Sequence, residues 1–600
     1  MKCSLFFFMA LVFSPILAFA QPKEQWLTFY ERSNYRKTPD YSETVTYCKR
    51  LAQASPWIHY TSFGKTPQGR DLPLVIISKE KAFTPSRAMK TGKAIVLIQS
   101  GIHAGEIDGK DASLMLIRDM AVTREKAPLL DHVIVLVVPI FNVDGHERIS
   151  PYNRINQNGP DEMGWRVTAQ NLNLNRDYMK ADAPEMRAML KLFSRWLPDF
   201  YIDCHVTDGL DFQYDVTYSM ALSISIDESL ADWNKKIFLP WMTAEVEKKG
   251  HIIAPYIFPR EDKDLSKGLI AGPTPPRFST EYGAIQNRPT LLIETHMLKP
   301  YKTRVTATYD ILVATLELMN RENSNLRALN LCADATTQHL GRSGNGYVPL
   351  QFEATKEYTP LEFKGLRSQM EFSDISASER TIYTEEPMTM VVPYFDKIRV
   401  TDSVLVPKYY CIPQEWDEVI EVLAAHDIQM RKLTSPITID VQMYKLTEPK
   451  WQERPTEGRH MVRCASELFT EKRTFPAGTI VVPTDQRTAR VIVNLLEPRG
   501  PDSFVSWGFF NTIFEQKEYA EDYVLEKLAR EMIKDNPGLE KEFYLRLASD
   551  TAFAKNPRAR LNFFYQHSLY WDKSLGVYPI ARVMTDIDEK VIKNKFVPEE

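Results

Sequence analysis

His103 and Glu106 come directly after the apolar run Ala94–Ser100 and offer a pair of metal ligands. In the spacing His-x-x-Glu, an imidazole and a carboxylate can both point at one divalent ion. A third candidate ligand, His205, follows the predicted strand Asp199–Cys204. Two histidines and a glutamate, with solvent or substrate in the fourth position, are a known ligand set of catalytic zinc. The order of these residues therefore predicts a zinc site with one ion per chain.

Glu294 ends a further apolar run, Pro289–Ile293, and is the candidate for a general base. A carboxylate at the end of a buried strand costs desolvation energy unless it is paired or functional. Burial would also raise its pKa, which suits a group that takes a proton from zinc-bound water. A structural ion pair is the alternative interpretation of the same residue.

Polar residues between Gly164 and Tyr178 could hold a substrate. Arg176 beside Asn175 provides a planar, always-charged guanidinium and an amide, which together suit a carboxylate. Arg166 stands earlier in the same stretch and could reach the carbonyl oxygen of a substrate. Ordinary surface ion pairs of the two arginines are the alternative.

Strand-like and helix-like runs alternate from Gln21 to Asn320 and would place these residues on one sheet. The predicted strands are 72–78, 94–100, 133–139, 199–204 and 290–294, and the predicted helices are 108–122, 183–196, 229–249 with a break near Pro240, and 305–320. This alternation predicts an α/β fold with a mixed, mostly parallel sheet and helices on both faces. Ligands of such sheets collect at the carboxyl ends of strands, where His103, His205 and Glu294 all fall.

The pattern changes after residue 320. Gly341–Val406 is rich in short strands, a strand–helix–strand unit follows over Lys408–Leu446, and helical stretches dominate Asp502–Ala552. No second His-x-x-Glu occurs in this half of the chain. We therefore predict a catalytic domain over residues 21–320 and an accessory α+β region, of one or two subdomains, over residues 321–600.

Composition narrows the class of protein further. The chain has 600 residues and a formal net charge of −4, so nothing indicates nucleic acid or an anionic membrane as a partner. Residues 1–20 combine Lys2, a short apolar core and Ala18-Phe-Ala20, which predicts a signal peptide cleaved after Ala20 and a secreted or periplasmic protein without a transmembrane segment. The cysteines beyond residue 20 are widely spaced, so we expect mostly free thiols, with one disulfide left open.

Five short motifs together point to a known family. They are Gly101-Ile-His-Ala-Gly-Glu106, Phe141-Asn-Val-Asp-Gly145, Leu174-Asn-Arg-Asp177, Ile202-Asp-Cys-His205 and Leu292-Ile-Glu-Thr295. In their residues and order, residues 22–320 resemble the zinc metallocarboxypeptidases of the carboxypeptidase A type (funnelins). The second half looks like the accessory region of large secreted bacterial members. The resemblance implies the metallocarboxypeptidase fold and hydrolysis of the C-terminal peptide bond of a peptide by zinc-bound water.

The resemblance also implies a role for each matching residue. His103, Glu106 and His205 would bind zinc, Glu294 would be the general base, Arg166 would stabilise the oxyanion, and Asn175 with Arg176 would capture a free C-terminal carboxylate. Arg154 is a rival for the role of Arg166. The tyrosine that closes over substrate in the family has Tyr282 as its best match.

Apart from this tyrosine, the sequence departs from the family pattern at two further places. Val206-Thr207 replaces a Ser-Tyr pair after the third ligand, which puts a substrate contact in doubt, and Asn142-Val-Asp-Gly replaces Asn-Pro-Asp-Gly. Other functions are open at this point. An amidase, a deacylase or an exopeptidase for cell-wall peptides could use the same scaffold, and an inactive peptidase-like binding protein is a further alternative.

Overall fold

The computed structural model describes residues 22–261, 264–272 and 274–596, so the predicted signal peptide lies outside the described residues. They divide into two compact units. The first comprises the residues up to Ala333 together with Glu353–Arg399, and the second comprises Asp334–Phe352 and the residues from Val400 onward. None of the helices in the described ranges is long and apolar enough to cross a membrane.

The first unit is built on an eight-stranded mixed sheet. Its strands are β1 (Ile58–Lys65), β2 (Asp71–Ile77), β3 (Ala94–Ser100), β4 (Val133–Val138), β5 (Phe200–Val206), β6 (Val216–Ser219), β7 (Ile253–Pro255) and β10 (Thr290–Thr295). Two short strands, β8 (Phe258–Pro259) and β9 (Leu269–Ile270), lie outside this sheet. The order in the sheet is β1-β2-β4-β3-β5-β10-β6-β7. The four neighbours β4, β3, β5 and β10 run parallel. The mixed α/β fold that the sequence predicts is therefore confirmed.

Helices follow the strands in the first unit. They are α1 (Phe29–Arg32), α2 (Tyr41–Ala54), α3 (Pro85–Lys90), α4 (Asp108–Ala121), α5 (Val143–His146), α6 (Pro184–Trp196), α7 (Glu228–Trp233), α8 (Leu239–Glu247), α9 (Ser279–Ile285) and α10 (Tyr301–Ser343). A π-helical turn, Asn234–Phe238, joins α7 to α8 just before Pro240, where the sequence predicts a break. The boundary predicted at residue 320 falls inside α10, because the polar stretch Asn320–Asn325 weakens the apolar pattern without ending the helix.

The central strands of the sheet are buried on both faces, which explains why their sequences are almost continuously apolar. Every residue of β3, β4 and β5 is buried. Helix α4 packs closely on this surface, since a Cβ atom at Gly109 would lie 2.3 Å from the Cβ atom of Cys204. Close packing of α4 on β5 fixes the start of α4, and with it the preceding turn, relative to the end of β5.

A long β-hairpin completes the first unit. The next strands along the chain are β11 (Tyr347–Ala354), β12 (Thr359–Ser373), β13 (Ser378–Phe395) and β14 (Ile398–Leu405). Strands β12 and β13 form the hairpin, in a sheet of order β12-β13-β9-β8, and β11 pairs with β14. The sequence predicts short strands here, whereas the structure has long ones. Cross-strand ion pairs, Arg367 with Glu386 and Arg380 with Glu371, accompany the extension of the hairpin into solvent.

The second unit contains an antiparallel seven-stranded sheet and a group of helices. Its further strands are β15 (Tyr409–Ile412), β16 (Met430–Leu433), β17 (Ile437–Trp451), β18 (Val462–Phe475), β19 (Ile480–Pro483), β20 (Ala581–Val583) and β21 (Ile592–Phe596). The helices are α11 (Asp417–Ala425), α12 (Ala489–Leu496), α13 (Asp522–Asp535), α14 (Pro537–Ser549), α15 (Thr551–Ala554) and α16 (Pro557–Gln566). The last four enclose a small aromatic core of their own. The five cysteines in the described residues are free thiols.

Candidate active site with a metal centre

Three strand ends bring the predicted ligands and base together. Strand β3 ends at Ser100, and Gly101 adopts a left-handed backbone (φ +68°) that turns the chain into the segment carrying His103 and Glu106. His205 lies near the end of β5, and Glu294 is its direct partner in the parallel register of β10 with β5. Parallel strands end at one edge of a sheet, so these four residues meet there.

The side chains of His103, Glu106 and His205 form a compact, buried cluster. The Nδ1 atoms of His103 and His205 lie 3.1 and 3.0 Å from the same oxygen, Oε2 of Glu106. One possible ligand atom from each residue lies within 4.8 Å of the others. The contact of His103 Nδ1 lacks the geometry of a hydrogen bond, as expected of an atom that faces a metal. Two imidazoles and one carboxylate fit the ligand set of catalytic zinc.

Asp203 and Asn173 orient the two imidazoles. Nε2 of His205 lies 2.8 Å from Oδ2 of Asp203, and Nε2 of His103 lies 3.1 Å from Oδ1 of Asn173. A hydrogen bond at one ring nitrogen fixes the tautomer and leaves the other nitrogen for the metal. Sequence analysis missed both partners. The spacing of Asp203 and His205 was the available signal, because residues two apart on a strand share a face.

The charges of the cluster suit a cation. Burial lowers the pKa of His103 to about 4. Burial alone would also lower the pKa of His205, but Asp203 raises it well above its usual range. Burial alone would raise the pKa of Glu106, but His103 and Arg154 hold it well below its usual range. A metal must displace any proton on these ligands, so its affinity for the site would depend on pH.

Both candidate arginines contact Glu106. Nη1 of Arg154 lies 2.9 Å from Oε1 of Glu106, and Nη1 of Arg166 lies 3.1 Å from the same oxygen. Arg154 also donates from Nε to Gln157 at 2.7 Å. The side chain of Arg154 is 11% exposed and that of Arg166 is 38% exposed. Arg154 is thus held in place on two sides, whereas Arg166 lies at the open side of the cluster.

Glu294 is buried beside the cluster. Burial raises its pKa to about 8, His205 opposes the shift, and the charges of Glu106 and Asp203 add to it. A divalent cation at the cluster would lower this pKa by direct electrostatic attraction. The position of Glu294 next to His205 therefore suits a proton acceptor beside a metal.

Asn175 and Arg176 lie against the start of α9. Oδ1 of Asn175 accepts a hydrogen bond of 3.4 Å from the backbone N–H of Ser279. The guanidinium of Arg176 stacks over the ring of Phe278 at 4.3 Å. A side-chain hydrogen bond of Ser279 reaches Asp203, so this surface is connected to the residue that orients His205.

Tyr282 does not take the position that the sequence analysis gave it. It is 2% exposed, accepts a hydrogen bond of 2.8 Å from Gln286, and packs against Tyr178 and Phe193. Every residue of α9 is buried, so this helix directs Tyr282 into the core rather than over a substrate.

A different tyrosine, Tyr256, lies close to the charged groups of the site. Burial raises the pKa of its phenol, the charges of Glu294, Asp208 and Glu106 add to the shift, and Arg166 opposes it. Tyr256 follows the short strand β7, and no motif in the sequence marks it.

A buried cluster of two histidines and a glutamate, bordered by arginines and by a carboxyl group that can act as a base, is typical of metal-dependent hydrolases. Residues 44–237 match the family model described as zinc carboxypeptidase. His103, Glu106 and His205 fall inside this match, whereas Glu294 lies beyond it. Residues 44–237 are therefore similar to a zinc carboxypeptidase domain, and this match supports a metallocarboxypeptidase enzyme with zinc as its metal.

Two relatives with similar sequences are named carboxypeptidases. The chain is 24% identical over 486 residues to a protein named Carboxypeptidase 2 from Trichophyton tonsurans, covering 78% of this chain and 84% of the relative. A Carboxypeptidase 2 from Trichophyton rubrum is 23% identical over the same length. Among solved structures, a metallo-carboxypeptidase from Burkholderia cenocepacia is 17% identical and matches 47% of this chain and 69% of its own with a TM-score of 0.35.

Proposed function

We propose that this enzyme releases the C-terminal residue of peptides by hydrolysis, with Glu294 as the general base. The observation that supports this proposal most directly is the register of β5 and β10, which pairs Glu294 with His205. An acid beside a candidate zinc ligand lies where a proton must be removed from an attacking water. The family model ends before Glu294, so support for this role comes from the register of the two strands and not from the match.

The ligands and the base would divide the work as follows. Zinc held by His103, Glu106 and His205 supplies Lewis acidity, which lowers the pKa of water and polarises a carbonyl group. Glu294 takes a proton from the attacking water and passes it to the nitrogen of the leaving amine. Asp203 and Asn173 keep the two imidazoles in the tautomer that faces the metal.

Arg166 is the better of the two arginines for stabilising an oxyanion. Arg154 is bound on one side by Glu106 and on the other by Gln157. Arg166 forms an ion pair with Glu106 and has a more exposed side chain than Arg154. A guanidinium at the open side of the cluster can turn towards charge that develops on a substrate oxygen. Arg154 instead neutralises Glu106 in the resting site.

Asn175 and Arg176 would determine which end of a peptide enters. A guanidinium and an amide side by side can bind a free carboxylate through several hydrogen bonds. Stacking on Phe278 orients the guanidinium of Arg176 before a substrate arrives. A peptide whose C-terminus is a carboxylate would therefore bind with its last peptide bond at the metal.

Rates on a peptide and on its C-terminal amide test this function. The zinc-loaded enzyme should hydrolyse the free acid at least about tenfold faster, because one charge-assisted contact accounts for such a factor. A chelator should abolish the activity and added zinc should restore it. An Arg176→Met variant is the matched control and should lose the preference. Equal rates in the unmodified enzyme would point to an amidase or deacylase instead.

We also propose that the chain is exported after cleavage at Ala20. Lys2, the short apolar core and Ala18-Phe-Ala20 support this proposal. N-terminal sequencing of protein from the culture medium or periplasm should begin at Gln21. Intact protein in the cytosol that begins at Met1 would contradict it.

A third proposal concerns the second unit, which would be accessory to the chemistry. The cluster of possible metal ligands found in the described ranges lies wholly in the first unit. Substitutions on the second unit should therefore change stability or solubility before they change turnover.

A further inference from the structure

The outer edge of strand β12 begins beside the loop that leaves the metal ligand His205. Phe212, a few residues after His205, forms an antiparallel bridge with Gly365. Gln213 N–H donates to Lys364 O at 3.0 Å, and Lys364 N–H donates to the hydroxyl of Tyr214 at 2.9 Å. The start of this edge is thus already paired with the segment that follows His205.

Past Gly365 the same edge is open. Strand β12 is the outermost strand of its sheet. No other element of the described residues pairs with its outer side between Leu366 and Ser373. The backbone of Lys364 faces outward, and the carbonyl of Arg367 faces β13, where it accepts from Thr384. Alternate residues therefore point their N–H and C=O groups outward, and these are Leu366, Ser368, Met370 and Phe372.

The direction of the open edge follows from the bridge. Because the pairing of Phe212 with Gly365 is antiparallel, β12 beyond Gly365 runs in the direction that leads from Phe212 back towards His205. A second contact agrees with this placement, since the hydroxyl of Tyr383, whose backbone pairs with Ser368, bonds to the backbone of Asp211. The open edge therefore starts alongside the loop that follows His205.

Side chains on this part of β12 are unusual for a solvated strand. Met370 is 44% exposed and Phe372 is 67% exposed, and the two share one face because they lie two residues apart. Exposed strand edges favour pairing with another extended chain, and natural proteins usually protect them. The ion pairs of Arg367 and Glu371 lie on the opposite face of β12, so they do not cover the apolar pair.

We propose that the outer edge of β12 from Leu366 to Phe372 binds the upstream part of long peptide substrates as an added β-strand. This proposal rests on the proposed carboxypeptidase function and names its substrate class: extended peptides rather than dipeptides. Backbone hydrogen bonds would give affinity without a sequence requirement, and Met370 and Phe372 would favour apolar side chains at alternate upstream positions. The C-terminal residue would remain with Arg176.

Two substrates with the same last two residues test the proposal. One is an N-acylated dipeptide and the other is a ten-residue peptide with apolar residues at alternate positions. We expect kcat/KM to be about tenfold or more higher for the long peptide, since two or three backbone hydrogen bonds account for such a factor. In Met370→Pro, which removes one outward N–H, this ratio should fall towards one while hydrolysis of the dipeptide is unchanged.

Three controls separate the possible results. Met370→Ala keeps the N–H donor and should retain most of the advantage in kcat/KM of the long peptide over the dipeptide. A long peptide with N-methyl groups on the residues that face the edge should lose its advantage on the unmodified enzyme, which covers the case that Met370→Pro fails to fold. Binding of a fluorescent long peptide to the inactive Glu294→Gln variant, with and without Met370→Pro, measures the edge without turnover.

The outcomes distinguish the two proposals. A ratio of one in the unmodified enzyme, with the dipeptide cleaved, overturns the edge site and leaves the carboxypeptidase intact. If the unmodified enzyme does not cleave the dipeptide with zinc present, the proposed carboxypeptidase function is overturned. In that case, equal binding of the long peptide with and without Met370→Pro also overturns the edge site.

Discussion

Glu106 faces two kinds of partner with its two carboxylate oxygens. Oε2 lies between the two imidazoles, and Oε1 lies between Arg154 and Arg166. A metal would be held by the first set, while the arginines keep the carboxylate ionised and oriented. A neutral amide at this position would lose both effects, so Glu106 is harder to replace than its spacing to His103 suggests.

Glu294→Gln should separate metal binding from turnover. Glutamine has the size of glutamate but cannot accept a proton from water, so kcat should fall by about 10²–10⁴. The three candidate ligands are unchanged, and elemental analysis should still find close to one zinc per chain. Activity near that of the unmodified enzyme would remove Glu294 from the role of base.

Asp203→Ala should weaken the metal site without removing a ligand. Without its partner at Nε2, the ring of His205 is free to change tautomer and orientation, and zinc affinity should fall by about 10–100-fold. Competition with a chromogenic chelator measures this change. Asp215→Asn, at an acid whose partners lie away from the cluster, serves as the control. Equal affinities in both variants would mean that Asp203 does not support the site.

At the scale of single elements, α6 contains a buried carboxyl group whose oxygens accept no hydrogen bond from the described residues. Glu185 is fully buried, and neither of its oxygens has a hydrogen-bond partner in the described residues. Burial raises its pKa to about 7, and the charges of Asp144 and Asp177 add to the shift. Arg70 and Lys180 form ion pairs with those two aspartates, whereas no cation in the described ranges pairs with Glu185.

The stability of the first unit should therefore fall as the pH rises. The folded state holds the proton of Glu185 more tightly than the unfolded state does, so the penalty is absent below about pH 4.5 and complete above about pH 7. Glu185→Gln should raise the free energy of unfolding at pH 8 by an amount of the order of 1–3 kcal/mol, and with it the thermal midpoint, but have little effect at pH 4.5.

Thermal unfolding of Glu185→Gln at both pH values measures this effect, with exposed Glu24→Gln as the control. The same shift at both pH values would show that packing, rather than titration, is responsible.

The elements also show what a sequence can and cannot predict. The five predicted strands agree with β2, β3, β4, β5 and β10 within one or two residues, because apolar runs bounded by turns mark buried strands clearly. The three candidate ligands and Glu294 were predicted because each follows such a run. The short strands β6 to β9 were not predicted. The length of the hairpin strands β12 and β13 was not predicted. A long solvent-exposed strand has no buried face, so its sequence lacks the alternation of apolar and polar residues that marks a strand.

Individual site residues show the same limit. Tyr282 was placed at the site as the best match to the tyrosine that closes over substrate in the family, but the packing of α9 points it into the core. Tyr256 could not be found, because its proximity to Glu294 depends on contacts between segments distant in sequence. Tertiary packing settles such placements, and a single sequence carries little information about it.

At the scale of the whole molecule, the first unit is not continuous in sequence. The hairpin contributes Phe363 and Val392 to a core cluster with Phe212, Tyr214 and Leu269. A chain that ends at Ala333 would lack the hairpin and expose this apolar surface. We expect such a chain to bind a hydrophobic dye and to aggregate, and to lose activity on all peptides.

A matched comparison makes that expectation specific. A chain that ends at Arg399 retains the hairpin and should bind less dye than the chain that ends at Ala333. Size-exclusion chromatography and dye fluorescence of the two chains provide the measurement. A monomeric, active protein that ends at Ala333 would contradict the structural role of the hairpin.

The interrupted first unit also has a consequence for synthesis on the ribosome. Phe212 and Tyr214 leave the ribosome well before Phe363 and Val392, with the whole of α10 and β11 made in between. At about 5–20 residues per second, the apolar surface beside the loop that follows His205 is without its cover for roughly ten seconds or more. The nascent chain therefore carries its future active site in an unfinished form during that time. A chaperone that binds exposed apolar segments would meet it at this loop first.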